Sequence, residues 1–181
     1  MLRSLKRRAE FQRKAGEIYG AIVTQARQPA FYARLGIPDT PTGRYEMVVV
    51  HLFLVLERLC GEGSGPETLA QELVDAFVSD MDDSLRELGT GDVGVPRRVK
   101  RAAAGFYERS KDYRAALAAG EGALETALAR YLAADAGDGR IGALASYMRA
   151  AAASLAADPA GELTHGRLSF PDLAAAAKAA P

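Results

Sequence analysis

The sequence predicts an all-α fold, a single-domain bundle of about six helices. Three observations carry this. Apolar residues recur at helical spacing in one segment after another. Glycine and proline fall between those segments. No stretch alternates long enough to build a sheet. The 181 residues suit one domain with a sizeable core, and no period marks a repeat array. Three regions are expected: a basic N-terminal helix extension over 1–14, a helical domain over 15–157 and a weakly ordered Ala-rich tail over 158–181.

The first helix is expected from Ser4 to Ala26, with Phe11, Ile18, Ile22 and Val23 as its stripe. Its start carries Arg3, Lys6, Arg7, Arg8, Arg13 and Lys14 but no following apolar run, so it is not a secretory signal. It reads as a basic helix of the mature fold with a weak, reversible attraction to anionic lipid. Pro29 and the segment 36–43 break the pattern. Thr42 is then expected to cap a helix over Gly43–Cys60. That helix is apolar on every side, which places it at the centre of the bundle, and His51 within it reads as a core histidine bonded to a neighbour. Cys60 is the single cysteine, so no intramolecular disulfide forms and a reducing compartment is favoured. On so apolar a helix it is expected in the core.

Past the glycines of 61–65, Pro66 opens a helix with Leu69, Leu73, Phe77, Met81, Leu85 and Leu88 inward. Pro96 opens the next, with Val99, Ala103, Phe106, Tyr113 and Leu117 on one side. Glu121–Ala133 and Arg140–Ala156 complete the set. Beyond Pro159, Leu168 and Phe170 are expected to dock the chain, and Ala174–Pro181 to fray. The longest apolar run, Met47 to Leu56, is about half of the ~20 residues a membrane span needs.

Lys+Arg and Asp+Glu both number 23, so no overall field draws the chain to nucleic acid. Two histidines are too few for a histidine metal cluster, no Ser/Cys–His arrangement is visible, and no cofactor or enzyme chemistry is expected. Gly89-Thr-Gly-Asp-Val-Gly94 has the G-x-G-x-x-G spelling of a dinucleotide loop, but a helix precedes it where that loop needs a strand. It reads as an interhelical turn. Asp80, Asp83 and Glu87 share a helix face just before it. Arg97, Arg98, Lys100 and Arg101 follow it at a helix start, where the dipole disfavours cations by about 0.3–1 kcal/mol. Antiparallel packing across the turn would bring Glu87 to Arg97, and Asp83 to Lys100 or Arg101. Exposed pairs return only about 0–1 kcal/mol, so the block is better suited to a partner than to stability.

The run from Met81 to Arg101, followed by Gly105-Phe-Tyr-Glu-Arg109, resembles the hallmark block of the ubiquinol–cytochrome c reductase assembly chaperones. The stretch from Tyr19 through Gln28-Pro-Ala-Phe-Tyr32, the turn Gly36-Ile-Pro38, Arg44-Tyr-Glu46 and Leu124 to Tyr131 resemble it too, so the likeness spans roughly Ala15 to Leu132. It implies a non-catalytic assembly factor of respiratory complex III, in its bacterial form, at the cytoplasmic face of the inner membrane; the alternative is the matrix side in mitochondria. The implied client is newly made cytochrome b, with a small assembly partner protein as a second contact. A chaperone for a membrane subunit needs an apolar groove rimmed by charge. Phe31, Tyr32, Met81, Phe106, Tyr107 and Tyr113 are the candidates for the groove. Asp80, Asp83, Glu87, Arg97, Arg98, Lys100 and Arg101 are the candidates for the rim. The competing reading of the basic block is a helical nucleic-acid binder or another protein-interaction module without catalysis.

Overall fold

The computed structural model describes residues 2–61, 67–87, 95–120, 122–158, 162 and 167–173. Among them are seven helices and no strand: α1 (Leu2–Ala26), α2 (Pro29–Ala33), α3 (Pro41–Cys60), α4 (Glu67–Glu87), α5 (Val95–Ala119), α6 (Ala123–Leu132) and α7 (Gly139–Ala157). Six of these are the expected helices with ends moved by a few residues. The additional one, α2, is five residues long, a single turn and a little more, too short to display a period. The expected Gly89–Gly94 turn, the linker 62–66, His165 and the tail 174–181 lie outside the described residues.

The start of α3 differs from the sequence reading. Thr40, not Thr42, is the cap: its hydroxyl accepts from the Gly43 amide at 3.2 Å, and Pro41 takes the first helical position. Thr42 lies inside the first turn; Thr40 stands ahead of the helix, followed by a proline whose missing N–H is harmless there. Gly43 is required by contact. A Cβ on it would overlap the carbonyl oxygen of Pro38, so the Ile37-Pro38 turn is drawn against the helix. Gly36 takes φ +63, the left-handed conformation that glycine adopts at no steric cost.

α3 is the central helix. Residues Met47 to Val55 are all buried, and the helix packs on α1, α4, α5, α6 and α7. His51 is 0% exposed and fully bonded. Its Nδ1 donates to the Met47 carbonyl at 2.7 Å, which fixes Nε2 as the acceptor of the Tyr147 hydroxyl at 2.8 Å. Gln25 donates in turn to that hydroxyl at 3.0 Å, tying α1, α3 and α7 through one polar chain. Phe31 and Phe170 stand edge-on to the imidazole. Phe170 and Leu168 pack on the core, and Leu173 is buried.

Paired side chains give the helix directions. Arg8–Glu72 and Tyr19–Asp80 set α1 parallel to α4. Tyr45–Ala102 and Glu57–Arg114 set α3 parallel to α5. His51–Tyr147 and Arg58–Leu155 set α3 parallel to α7. The ring contact of Phe77 with Phe106, near the middle of each helix, and the short connection make α4 and α5 antiparallel, as expected. One pole of the bundle therefore gathers the ends of α1 and α4, helix α2, and the starts of α3, α5 and α7.

Cys60 is exposed, against the expectation of a core thiol. The buried stripe of α3 stops at Leu59, and Cys60 is the last helical residue, at the pole opposite the one just described. A thiol reagent such as a disulfide chromophore is expected to titrate one group per native chain within minutes. Reaction only after adding denaturant would show the thiol to be closed off. Among the described residues, no helix is long and apolar enough to cross a membrane.

Candidate partner-binding face

The predicted groove residues separate into two groups. Phe31 and Tyr113 are 0% exposed and Phe106 is 2% exposed. These three are corrected to core positions: Phe31 packs on His51 and Tyr147, Phe106 on Phe77, and Tyr113 on Phe53 and Tyr131. Each ring stacks into the bundle axis and offers no area to a partner. Tyr107 behaves oppositely: 57% exposed, it stands on the outer side of α5 beside Phe106. Met81 and Tyr32 are half-buried against the core.

The charged rim also separates. Asp80 accepts the Tyr19 hydroxyl at 2.8 Å and so joins α4 to α1. Burial, then this bond, pushes the Tyr19 phenol above its ordinary pKa. Asp83 is exposed; among the described residues no ion pair joins it to Lys100 or Arg101, contrary to the expectation from antiparallel packing. The nearest ion pair on that stretch is local, Asp82 with Arg86. The side chain of Glu87 lies outside the described residues. Arg97, Arg98, Lys100 and Arg101 are exposed on the first two turns of α5.

At the same pole, between the end of α1, α2 and the start of α3, lies a cleft of about 480 Å³, lined by Arg27, Pro29, Tyr32, Ala33, Asp39 and Arg44. The Tyr32 hydroxyl is held in the wall by donating to the Ala26 carbonyl at 2.9 Å, and burial raises its pKa. Arg44 donates through Nε to Asp39 at 2.6 Å, which leaves its two terminal amino groups toward solvent. That hydrogen bond, chiefly, holds the exposed Asp39 carboxyl below its usual range. The Arg27 side chain is exposed and makes no hydrogen bond or ion pair among the described residues.

What holds this face in place is a buried ion pair beneath it. Arg109 of α5 meets Glu46 of α3 in a two-pronged bond, Nε to Oε2 at 2.7 Å and Nη2 to Oε1 at 2.6 Å. Its third nitrogen donates to the Gly105 carbonyl at 3.1 Å. The guanidinium lies 4.4 Å from the Tyr131 ring centroid and 5.5 Å from that of Tyr45. Burial opposes its charge, but Glu46 outweighs burial and the Arg109 pKa is raised. Gly105 leaves room for this arrangement: a Cβ there would sit 3.0 Å from the Arg109 Nη1 and 3.3 Å from the Tyr45 hydroxyl, close enough that one of them would have to give by a few tenths of an ångström. Sequence reasoning quoted Arg44-Tyr-Glu46 and Gly105-Phe-Tyr-Glu-Arg109 separately. Nothing local announces their pairing across 63 residues.

Residues 33–170 match the sequence model of the family described as ubiquinol-cytochrome C chaperone. The matched region starts later than the Ala15 limit of the resemblance and runs well past its Leu132 limit. The crystal structure of the Cbp3 homolog from Brucella abortus is similar, with 40% sequence identity and a TM-score of 0.80 over 96% of this chain and 98% of that one. No curated protein matches the chain significantly. The matched region holds the Glu46–Arg109 pair and the exposed start of α5, and on the family match and the 40% identity over nearly the whole of both chains, this chain belongs to the ubiquinol–cytochrome c chaperone family.

Proposed function

We propose that this chain is a non-catalytic assembly chaperone of the cytochrome bc1 complex and that newly made cytochrome b is its client, met at the cytoplasmic face of a bacterial inner membrane. Membership of the chaperone family carries this reading. The side chains that might have served catalysis support it, because their polar atoms are used within the fold: His51 is sealed and fully bonded, and Glu46 and Arg109 satisfy one another. Client contact falls to Tyr107, Met81 and Tyr32, and to Asp83 two residues after Met81, since Phe31, Phe106 and Tyr113 are enclosed. An exposed tyrosine suits this contact because it buries much apolar area with little loss of side-chain freedom. A small assembly partner protein would share the α4–α5 surface.

A photo-crosslinking residue at Tyr107 is expected to capture a cytochrome b polypeptide in cells assembling the complex. The same residue at Phe31 is expected to capture nothing, because that position is 0% exposed. Unchanged levels of assembled complex after deletion of the gene, with no cytochrome b among the crosslinked products, would refute the reading.

A further inference from the structure

The cations of this chain are not evenly compensated, and the pattern differs from the one the sequence suggests. In the basic first helix Arg8 is paired with Glu72, Arg13 with Glu17 and Lys14 with Glu10, while Lys6 and Arg7, nearest its start, make no ion pair among the described residues. At the opposite pole, the exposed side chains of Arg27, Arg34, Arg97, Lys100 and Arg101 make no ion pair or hydrogen bond among the described residues. Arg44 is only half engaged by Asp39. Of the other acids described at that pole, Asp138 pairs with Arg140 and Asp82 with Arg86, Asp80 accepts the Tyr19 hydroxyl, and Asp83 and Asp135 make no ion pair, so cations remain in excess. The bond from the Tyr45 hydroxyl to the Ala102 carbonyl holds the start of α3 against the start of α5, so the cleft of Arg27, Tyr32 and Arg44 shares this pole with the α5 cations.

We infer that this pole docks on the anionic surface of a phospholipid leaflet, with the Arg27–Tyr32–Arg44 cleft receiving a phosphodiester headgroup. The inference rests on the proposed membrane-subunit client for the place where the chain works. Charge then selects the partner. Loops of a membrane protein that remain in the cytoplasm carry an excess of lysine and arginine, which these cations repel. The leaflet facing the cytoplasm is anionic and attracts them. Two unpaired or half-paired guanidinium groups flanking a tyrosine match a phosphodiester, because guanidinium offers paired donors to its oxygens. Tyr32 at the cleft is an amphipathic ring of the kind that settles at headgroup depth. Docking by this pole would set the client-facing hairpin beside the bilayer that receives the client.

The test is flotation of the purified full chain with vesicles of phosphatidylglycerol and phosphatidylcholine, or of phosphatidylcholine alone. No client is present, so failure here leaves the cytochrome b reading standing, and failure of crosslinking leaves this one standing. The wild-type chain is expected to float with the anionic vesicles only, less so as salt rises. Each cation near such a surface strengthens binding about fivefold, so the triple variant R97E/K100E/R101E should weaken partition roughly a hundredfold or more, and R27E several-fold. K6E/R7E, at the other pole, should change it little. Circular dichroism checks that each variant stays folded. Glycerol phosphate in excess, at matched ionic strength, should compete only weakly, because the field of the leaflet contributes most of the binding; full release by it would mean that a free phosphate ester, not the leaflet, is the ligand. Equal flotation with neutral vesicles, a loss with K6E/R7E matching the triple variant, or a shift with RNA in a chain that ignores vesicles would overturn the proposal.

Discussion

Replacing Glu46 by alanine is expected to destabilise the chain by about 3 kcal/mol, the largest effect of any single truncation considered. Glu46 is almost wholly buried, its side chain 3% exposed, and its partner Arg109 retains 18%. Removing one member of such a pair typically costs about 3–5 kcal/mol, because the other charge is left buried without compensation. The residual exposure of Arg109 and its contacts with the Tyr45 and Tyr131 rings place the cost at the lower end. For a domain of this size, the melting temperature should fall by roughly 6–12 °C. Arg109→Lys should also be costly, since lysine cannot reproduce the two parallel bonds or lie flat between two rings. The double variant Glu46→Leu/Arg109→Met should recover much of the loss, because no buried charge remains. Urea unfolding of the wild type, Glu46→Leu, Arg109→Met and the double variant supplies the cycle. Single variants as stable as wild type would mean that the pair is solvated and clamps nothing.

That clamp shows where the sequence was readable and where it was not. Periodicity placed six helices, and the all-apolar character of Met47 to Val55 placed α3 at the centre, because burial on every side leaves no polar stripe to read. α2 escaped because five residues hold no period. Cys60 was misplaced because helix composition does not say where the buried stripe stops; that depends on the length of the neighbours that cover it. The stripe through Phe106 and Tyr113 already pointed both rings inward, and treating them also as a groove asked one face of α5 to serve two purposes. Tyr107, one residue off that stripe, is the ring that reaches solvent.

Charge was less legible than packing. Two of the three neutralising pairs on α1, Lys14–Glu10 and Arg13–Glu17, lie at i,i+4 spacing and were there to be read. The third, Arg8–Glu72, joins residues 64 apart and depends on α1 running parallel to α4. The same topology is what brings Arg27 and Arg44 to the pole of the α5 cations. A sequence shows how many charges there are; which of them remain uncompensated is decided by helix direction.

Acidification from pH 7 to pH 4 is expected to remove about 3 kcal/mol of stability through His51 alone. Burial, partly offset by the bond to the Met47 carbonyl, lowers its pKa from the ordinary 6.5 to about 4. The native imidazole is therefore neutral where the unfolded one takes up a proton. Between pH 6.5 and about 4 the unfolded state binds more protons, so stability rises with pH across that window and falls as acid is added. The contribution is complete above the unfolded value and gone below the folded one. A gap of this width corresponds to roughly 3 kcal/mol, at about 1.4 kcal/mol per pH unit. The bonding gives a structural reason for the asymmetry: Nε2 accepts from Tyr147, whose oxygen already receives Gln25, so a proton on Nε2 would set two donors against one another. Carboxylates held below their usual range, such as Glu125 bonded to Arg149, lose their share only near and below the ordinary carboxylate pKa, mostly outside this window. His51→Gln should be less stable at neutral pH but nearly flat between pH 5 and 6.5, while the wild-type chain slopes. Urea unfolding at half-unit steps of pH measures the difference directly. Parallel slopes for the two proteins would mean that His51 keeps its ordinary titration in the folded chain and that the Gln25–Tyr147–His51 chain is open to water.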